Sequence, residues 1–139
     1  MTVTAQVTKA PSVFVVDDEP EMRMLARAFL ERGGFNVVDE AADGPQALER
    51  FQYLNPPPVP SVVLLDNRMP GLTGLEVAEQ MLSRHPDQVI VLFSAHLDAA
   101  VEEKARAIGI AACVSKMKAS RLAGIHPATA AASVTPPQH

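Results

Sequence analysis

The stretch Val62-Val63-Leu64-Leu65-Asp66-Asn67-Arg68-Met69-Pro70-Gly71-Leu72-Thr73-Gly74-Leu75-Glu76 decides how the rest of the chain is read. Four apolar residues of strand-forming type end abruptly on a carboxylate, a Met-Pro-Gly turn follows, and a helix-like sequence begins. A short continuous apolar run fits a strand buried on both faces, as in a parallel sheet, although pattern alone also admits a buried helix segment. Pro70 lacks a backbone donor and favours an extended residue before it, so regular structure should stop near Met69. Asp66 then stands at the carboxyl end of a central strand, where open α/β sheets bind their ligands.

Similar runs recur on either side. Ser12-Val13-Phe14-Val15-Val16 leads into Asp17-Asp18-Glu19, Val89-Ile90-Val91-Leu92-Phe93 into Ser94-Ala95-His96, and residues 110–114 into Ser115-Lys116. Residues 35–40 mix β-branched and polar types, as an edge strand does. Between these runs the apolar spacing turns helical. Met22, Leu25, Ala26, Phe29 and Leu30 form one stripe, closed by Gly33-Gly34. Ala47, Leu48 and Phe51 form a second after Asp43-Gly44-Pro45, and the proline-rich residues 55–58 end it. Leu75, Ala78, Met81 and Leu82 form a third that starts near Thr73, and residues 98–108 an alanine-rich fourth with Gly109 as its cap.

Strands alternating with helices imply parallel crossovers and helices on both faces of one sheet. The predicted fold is α/β: a doubly wound five-stranded parallel sheet in the flavodoxin-like order 2-1-3-4-5, with its switch point between strands one and three. That order brings Asp17, Asp18, Asp66, Ser94 and Lys116 to one edge.

Composition narrows the classes. With 139 residues the chain fits one domain, and 47% apolar residues argue against global disorder. A net charge of −4 without any basic cluster gives no electrostatic reason to expect nucleic-acid binding. The single cysteine cannot build an internal disulfide, and neither a signal peptide nor a membrane-length apolar run is evident, so a cytoplasmic protein is expected. Residues 1–11 read as a flexible leader, 12–123 as the folded domain and 124–139 as an Ala/Pro-rich tail.

Gathered carboxylates repel one another. Like charges about 4 Å apart cost about 4 kcal/mol at an effective dielectric near 20. Mg²⁺ relieves such a cluster, because it accepts few carboxylates and keeps several waters. Lys116 adds a fixed positive charge, and Asp66 beside metal and ammonium is arranged to attack a phosphoryl group in line, giving an acyl phosphate. The Ser94 hydroxyl can donate to a phosphoryl oxygen, a contact of roughly 1.5–3 kcal/mol. No glycine-rich phosphate loop occurs, which argues against a nucleotide held by a P-loop. Each residue also has a plain structural reading: Asp18 with Glu21 could cap a helix, Asp66 could end a strand, and Ser94 and Lys116 could be ordinary surface groups.

Taken together, Val-Val-Asp17-Asp18-Glu, the block from Asp66 to Glu76, Phe93-Ser94-Ala95 and Ser115-Lys116 resemble the receiver domain of two-component response regulators, over roughly residues 12–123. The resemblance implies that Asp66 accepts a phosphoryl group from a phosphohistidine on a sensor histidine kinase or histidine phosphotransfer protein. It implies Asp18 as a direct Mg²⁺ ligand, Asp17 as its water-mediated neighbour, Asp66 and the backbone carbonyl of Arg68 as the rest of the protein's share, Ser94 as switch hydroxyl and Lys116 as the phosphate contact. Arg68 and His96 fall where receivers tune the lifetime of the phosphoryl group. The expected function is a stand-alone receiver, not an enzyme on external substrates, that signals to a downstream protein by contact or phosphorelay. A phosphorylation-independent interaction module of the same fold is the alternative.

Three positions depart from the family. Met117 stands where proline usually follows the lysine, and Cys113 where an aromatic rotamer switch is common. Third, residues 117–123 leave barely two turns for the fifth helix, which is therefore expected to be short or atypical. A missing helix would expose apolar sheet surface and favour association, such as a homodimer.

Overall fold

A computed structural model describes residues 10–54 and 60–125; the proline run at 55–58, nearly all of the leader and the tail from 126 onward lie outside the described residues. The elements follow in the order β1 (Ser12–Val16), α1 (Pro20–Arg32), β2 (Asn36–Ala41), α2 (Gly44–Tyr53), β3 (Val62–Leu65), α3 (Gly74–Arg84), β4 (Val89–Ser94), α4 (Ala99–Ile108) and β5 (Ala112–Ser115). A 3₁₀ segment, Lys116–Gly124, ends the described chain.

All five strands pair in parallel, in the order β2-β1-β3-β4-β5. This is the predicted doubly wound sheet. Successive side chains of a strand point to opposite faces, and two cores result. Phe14, Val16, Val63, Leu65, Ile90 and Leu92 meet Ala47 and Phe51 of α2, Val77, Ala78 and Met81 of α3, and Ala105 of α4. Val13, Val15, Val62, Leu64, Val91 and Phe93 meet Ala26 and Leu30 of α1 and Ala119 and Leu122 of the 3₁₀ segment. The apolar runs carry no polar break because both of their faces are buried.

Local signals set the ends of the helices. Asp43, Thr73 and Asp98 cap α2, α3 and α4 by accepting from the backbone amides of Gln46, Glu76 and Val101. Thr73 and Glu76 form a reciprocal capping box. Gly109 closes α4 at φ 111°, in the left-handed region that glycine enters without penalty.

The fifth helix is short and irregular as expected, and two open readings narrow. Asp18 does not cap α1: the cap residue is Glu19, without a side-chain cap bond, and Pro20 opens the helix. The Asp18 carboxylate is thereby left to face the end of the sheet. Nor does the short ending leave that sheet face bare. The 3₁₀ segment, broken by non-helical dihedrals at Lys118, packs on α1 and buries Ala119 and Leu122. Gly33 makes this possible, since a Cβ there would collide with the carbonyl group of Ala123. The strand boundaries also move slightly: β5 begins at Ala112 instead of 110 and takes in Ser115.

Candidate functional site

The site is built where β1, β3, β4 and β5 end. Sheet hydrogen bonding continues one residue past two of the strands: the Asp17 amide donates to Ala41 O at 3.0 Å and the Asp66 amide to Val16 O at 2.9 Å. Those bonds fix the two backbones side by side at the switch point of the sheet, and both side chains are almost fully buried. Asp18, half-buried, completes a cluster in which each of the three residues offers a carboxylate oxygen within 4.8 Å of the others.

Lys116 reaches this cluster from the end of β5. Its ammonium lies 2.8 Å from Asp17 Oδ2, 3.0 Å from Glu19 Oε1 and 3.4 Å from Asp66 Oδ2, and 5.8 Å from the centre of the Phe93 ring. The two oxygens of Asp17 are held differently. Its Oδ1 accepts from the Glu19 amide at 2.9 Å, whereas Oδ2 faces the Lys116 ammonium. The Asp17 carbonyl accepts from Arg23 Nη1 at 2.7 Å, which ties the start of α1 to the site.

Asp66 Oδ1 accepts from the Arg68 amide at 3.3 Å, so the loop after β3 folds back over its own carboxylate. Asn67 fastens that loop to α3, its carbonyl accepting from the Gly74 amide at 2.9 Å and its Oδ1 from the Leu75 amide at 3.2 Å. Asp18, Asn67, Arg68 and Met69 line one shallow depression beside the cluster. Ser94 is fully buried at the end of β4, in register with Ser115, and its Oγ accepts from the His96 amide at 3.2 Å. That bond leaves the hydroxyl proton available to another acceptor. Arg68 and His96 are both exposed at the rim.

The electrostatics follow from burial. Desolvation, reinforced by the charge of Asp17, pushes the Asp66 carboxyl up to about 7, against the opposing pull of Lys116 and the Arg68 amide. Burial also raises Asp17, with Lys116 and the Glu19 amide opposing. For Lys116 the desolvation that would weaken its charge is outweighed by Asp17, Glu19 and Asp66, so its pKa rises. Such a carboxylate set is short of positive charge. Three clustered carboxylates against one ammonium, all hard oxygen donors, and a shallow opening beside Asp18 fit a hard divalent cation.

All five predicted side chains therefore lie at one sheet edge, with Asp17, Asp18, Asp66 and Lys116 in one cluster. Three contributors went unrecognised in the sequence. Glu19 looks there like an ordinary helix-start acid, Phe93 like a core residue, and Gly74 like part of a turn. The spacing Thr73-x-x-Glu76 is a readable capping signal that places Gly74 at the first helical position, hard against the Asp66 backbone. Cys113 is half-buried against the α2–α4 core, as a core residue would be.

The family model for the response regulator receiver domain matches residues 13–124. A probable transcriptional regulatory protein NarL from Mycobacterium tuberculosis is 40% identical over 105 residues, which cover 75% of this chain and 47% of that one. The positive alginate biosynthesis regulatory protein of Pseudomonas aeruginosa is 39% identical over 93 residues, 66% of this chain and 36% of that one. The chain thus spans less than half the length of these relatives. Among solved structures, a two-component response regulator of the LuxR family from Aurantimonas sp. SI85-9A1 superposes with a TM-score of 0.79 at 28% identity, covering 90% of this chain and 87% of that one. Among the described residues, no helix is long and apolar enough to cross a membrane. With the parallel sheet, the acidic cluster and the buried lysine already in place, the match over residues 13–124 shows that the chain belongs to the response regulator receiver domain family.

Proposed function

We propose that Asp66 is the phosphoacceptor of a signalling switch, charged by a phosphohistidine on a sensor histidine kinase or histidine phosphotransfer protein. The observation that carries this reading is the cluster of Asp17, Asp18 and Asp66, with carboxylate oxygens within 4.8 Å of one another and the Lys116 ammonium 3.4 Å from Asp66. An Asp66 oxygen attacks phosphorus in line, the P–N bond to the donor imidazole breaks, and the bond electrons leave with that nitrogen. The product is an acyl phosphate on Asp66.

Asp17, Asp18 and Asp66, with the backbone carbonyl of Arg68, would hold Mg²⁺. The ion would supply charge neutralisation for the phosphoryl oxygens. The chain's own groups do the rest. Lys116 offers its ammonium to a phosphoryl oxygen, and the free Ser94 proton offers a second donor. The Arg68 amide, which already donates to Asp66 Oδ1, orients the nucleophile. Arg68 and His96, exposed at the rim, stand where side chains can screen or admit attacking water.

Output is by contact with a downstream protein. Moving a two-state element from about 1:99 to 99:1 takes about 5.5 kcal/mol, more than the Ser94 contact alone supplies, so Lys116 contributes as well, and a bound Mg²⁺ would add its charge. Cys113 supports a second reading, a phosphorylation-independent interaction module, because a small half-buried thiol cannot swing as an aromatic ring does. Incubation with Mg²⁺ and acetyl phosphate separates the two. The switch gains the mass of one phosphoryl group, and Asp66→Asn abolishes the gain; a wild type that never labels leaves only the module.

A further inference from the structure

The ammonium of Lys116 is closest to two carboxylates other than Asp66. Asp17 Oδ2 is 2.8 Å away and Glu19 Oε1 is 3.0 Å away, while Asp66 Oδ2 is 3.4 Å away. Asp17 is buried and belongs to the acidic cluster, so its grip on the lysine comes with the site. Glu19 differs: its side chain is 58% exposed, and it reaches back over the ammonium from the start of α1. Its own backbone amide is committed to Asp17 Oδ1, which fixes where the side chain starts. The Glu19 carboxylate makes no cap bond to α1, although Glu19 is the cap residue.

Lys116 has three ammonium protons, and a phosphoryl group on Asp66 would bring further acceptors. We propose that Glu19 is a positioning residue that occupies an ammonium proton of Lys116 which a phosphoryl oxygen on Asp66 would otherwise take, so that each phosphoryl group entering the site must displace the Glu19 contact. This rests on the acceptor reading of Asp66. Glu19 then sets the ease of charging without touching the phosphoryl group itself. An ion pair with one partner in solvent is weak and screened by salt, so its removal should change affinity by about two- to five-fold.

The test uses Glu19→Gln in the full chain, with Glu19→Ala beside it, and beryllofluoride with Mg²⁺ as the phosphoryl mimic. Both variants should melt with the wild type, since no cap bond is lost. Both should bind the mimic about two- to five-fold more tightly at low salt, and the difference should shrink toward 1 M NaCl. In the metal-free protein the ammonium protons of Lys116 should exchange faster with water in both variants, as seen by NMR. Affinity at low salt equal to or weaker than wild type overturns the proposal, as does unchanged exchange. If wild type binds the mimic, Asp66→Asn does not, and Glu19→Gln equals wild type, only the Glu19 role falls. If wild type does not bind at all, the acceptor reading falls with it.

Discussion

A Cβ placed on Gly74 would run into the carbonyl oxygen of Asp66 and come within 2.8 Å of Asn67 Cα, so α3 begins in backbone contact with the centre of the site. Only a hydrogen fits at that crossing. The Asn67 carbonyl and side chain then bond the Gly74 and Leu75 amides, coupling the loop after β3 to the first turn of α3.

Gly74→Ala should therefore disturb the Asp66 backbone and the fold together. Overpacking against backbone cannot be relieved by a rotamer change, and a cost of about 1–3 kcal/mol is expected. Urea denaturation reads that cost, and acetyl phosphate labelling should fall with it. Gly124→Ala is the control, because a Cβ there meets nothing within 4 Å. Equal stability and labelling in the two variants would remove the close approach as a constraint.

The 3₁₀ segment yields a second prediction. Leu122 is fully buried on the α1 side of the sheet, whereas Met117, five residues earlier, is 88% exposed. Leu122→Ala should cost about 2–5 kcal/mol, the usual range for a buried leucine, and Met117→Ala close to nothing. Equilibrium unfolding distinguishes them. A small loss at Leu122 would mean that the segment is an ornament and not the cover of that core.

Much of this arrangement was legible in the chain because buried parallel strands leave uninterrupted apolar runs, and each run here ends on its chemical residue. Asp17, Asp66, Ser94 and Lys116 follow directly once strand order is inferred. What stayed hidden depends on approach distances. Glu19 is an exposed acid beside a helix start, and only the bend of the chain after Asp17 brings it to Lys116. The spacing of Asp18 and Glu21 admits a capping pair, and Pro20 at the start of α1 moves the cap to Glu19 instead. The cover supplied by residues 116–124 is hard to read in the sequence, because its apolar positions are too few to form a helical stripe. They suffice only because Gly33 lets the segment lie directly on α1.

The raised Asp66 pKa makes stability depend on pH in an unusual direction. An acid whose folded pKa lies above its unfolded value favours the fold while protonated. Its contribution is full below the unfolded value near 3.8 and is lost as pH rises through about 7. Asp17, shifted the same way by burial, adds to the trend. Lys116 is shifted upward from 10.5, so its contribution persists across this window. Metal-free protein should lose on the order of 2–4 kcal/mol between pH 4 and pH 7.5 from Asp66. Asp66→Asn should flatten most of that slope, and millimolar Mg²⁺ should restore stability at the upper end. Thermal melts in chelator and in Mg²⁺ at several pH values check the sign; a stability that rises with pH in chelator would contradict it.

Cys113 carries the last prediction. Burial, with the nearby charge of Glu102, pushes its thiol up to about 11, and Arg106 offsets this only in part. Alkylating reagents attack the thiolate, and near pH 8 a group of that pKa holds about a hundredfold less thiolate than a free cysteine. The greater nucleophilicity of a high-pKa thiolate offsets part of this, so iodoacetamide should modify the native protein at least about tenfold more slowly than the urea-unfolded chain, with the rate still climbing beyond pH 9. Packing against the α2–α4 core and register with Leu92 give the side chain one place to sit. Rapid alkylation at pH 7 would instead reveal a low-pKa, solvent-facing thiol, and would make Cys113 a reactive group in place of a packing residue.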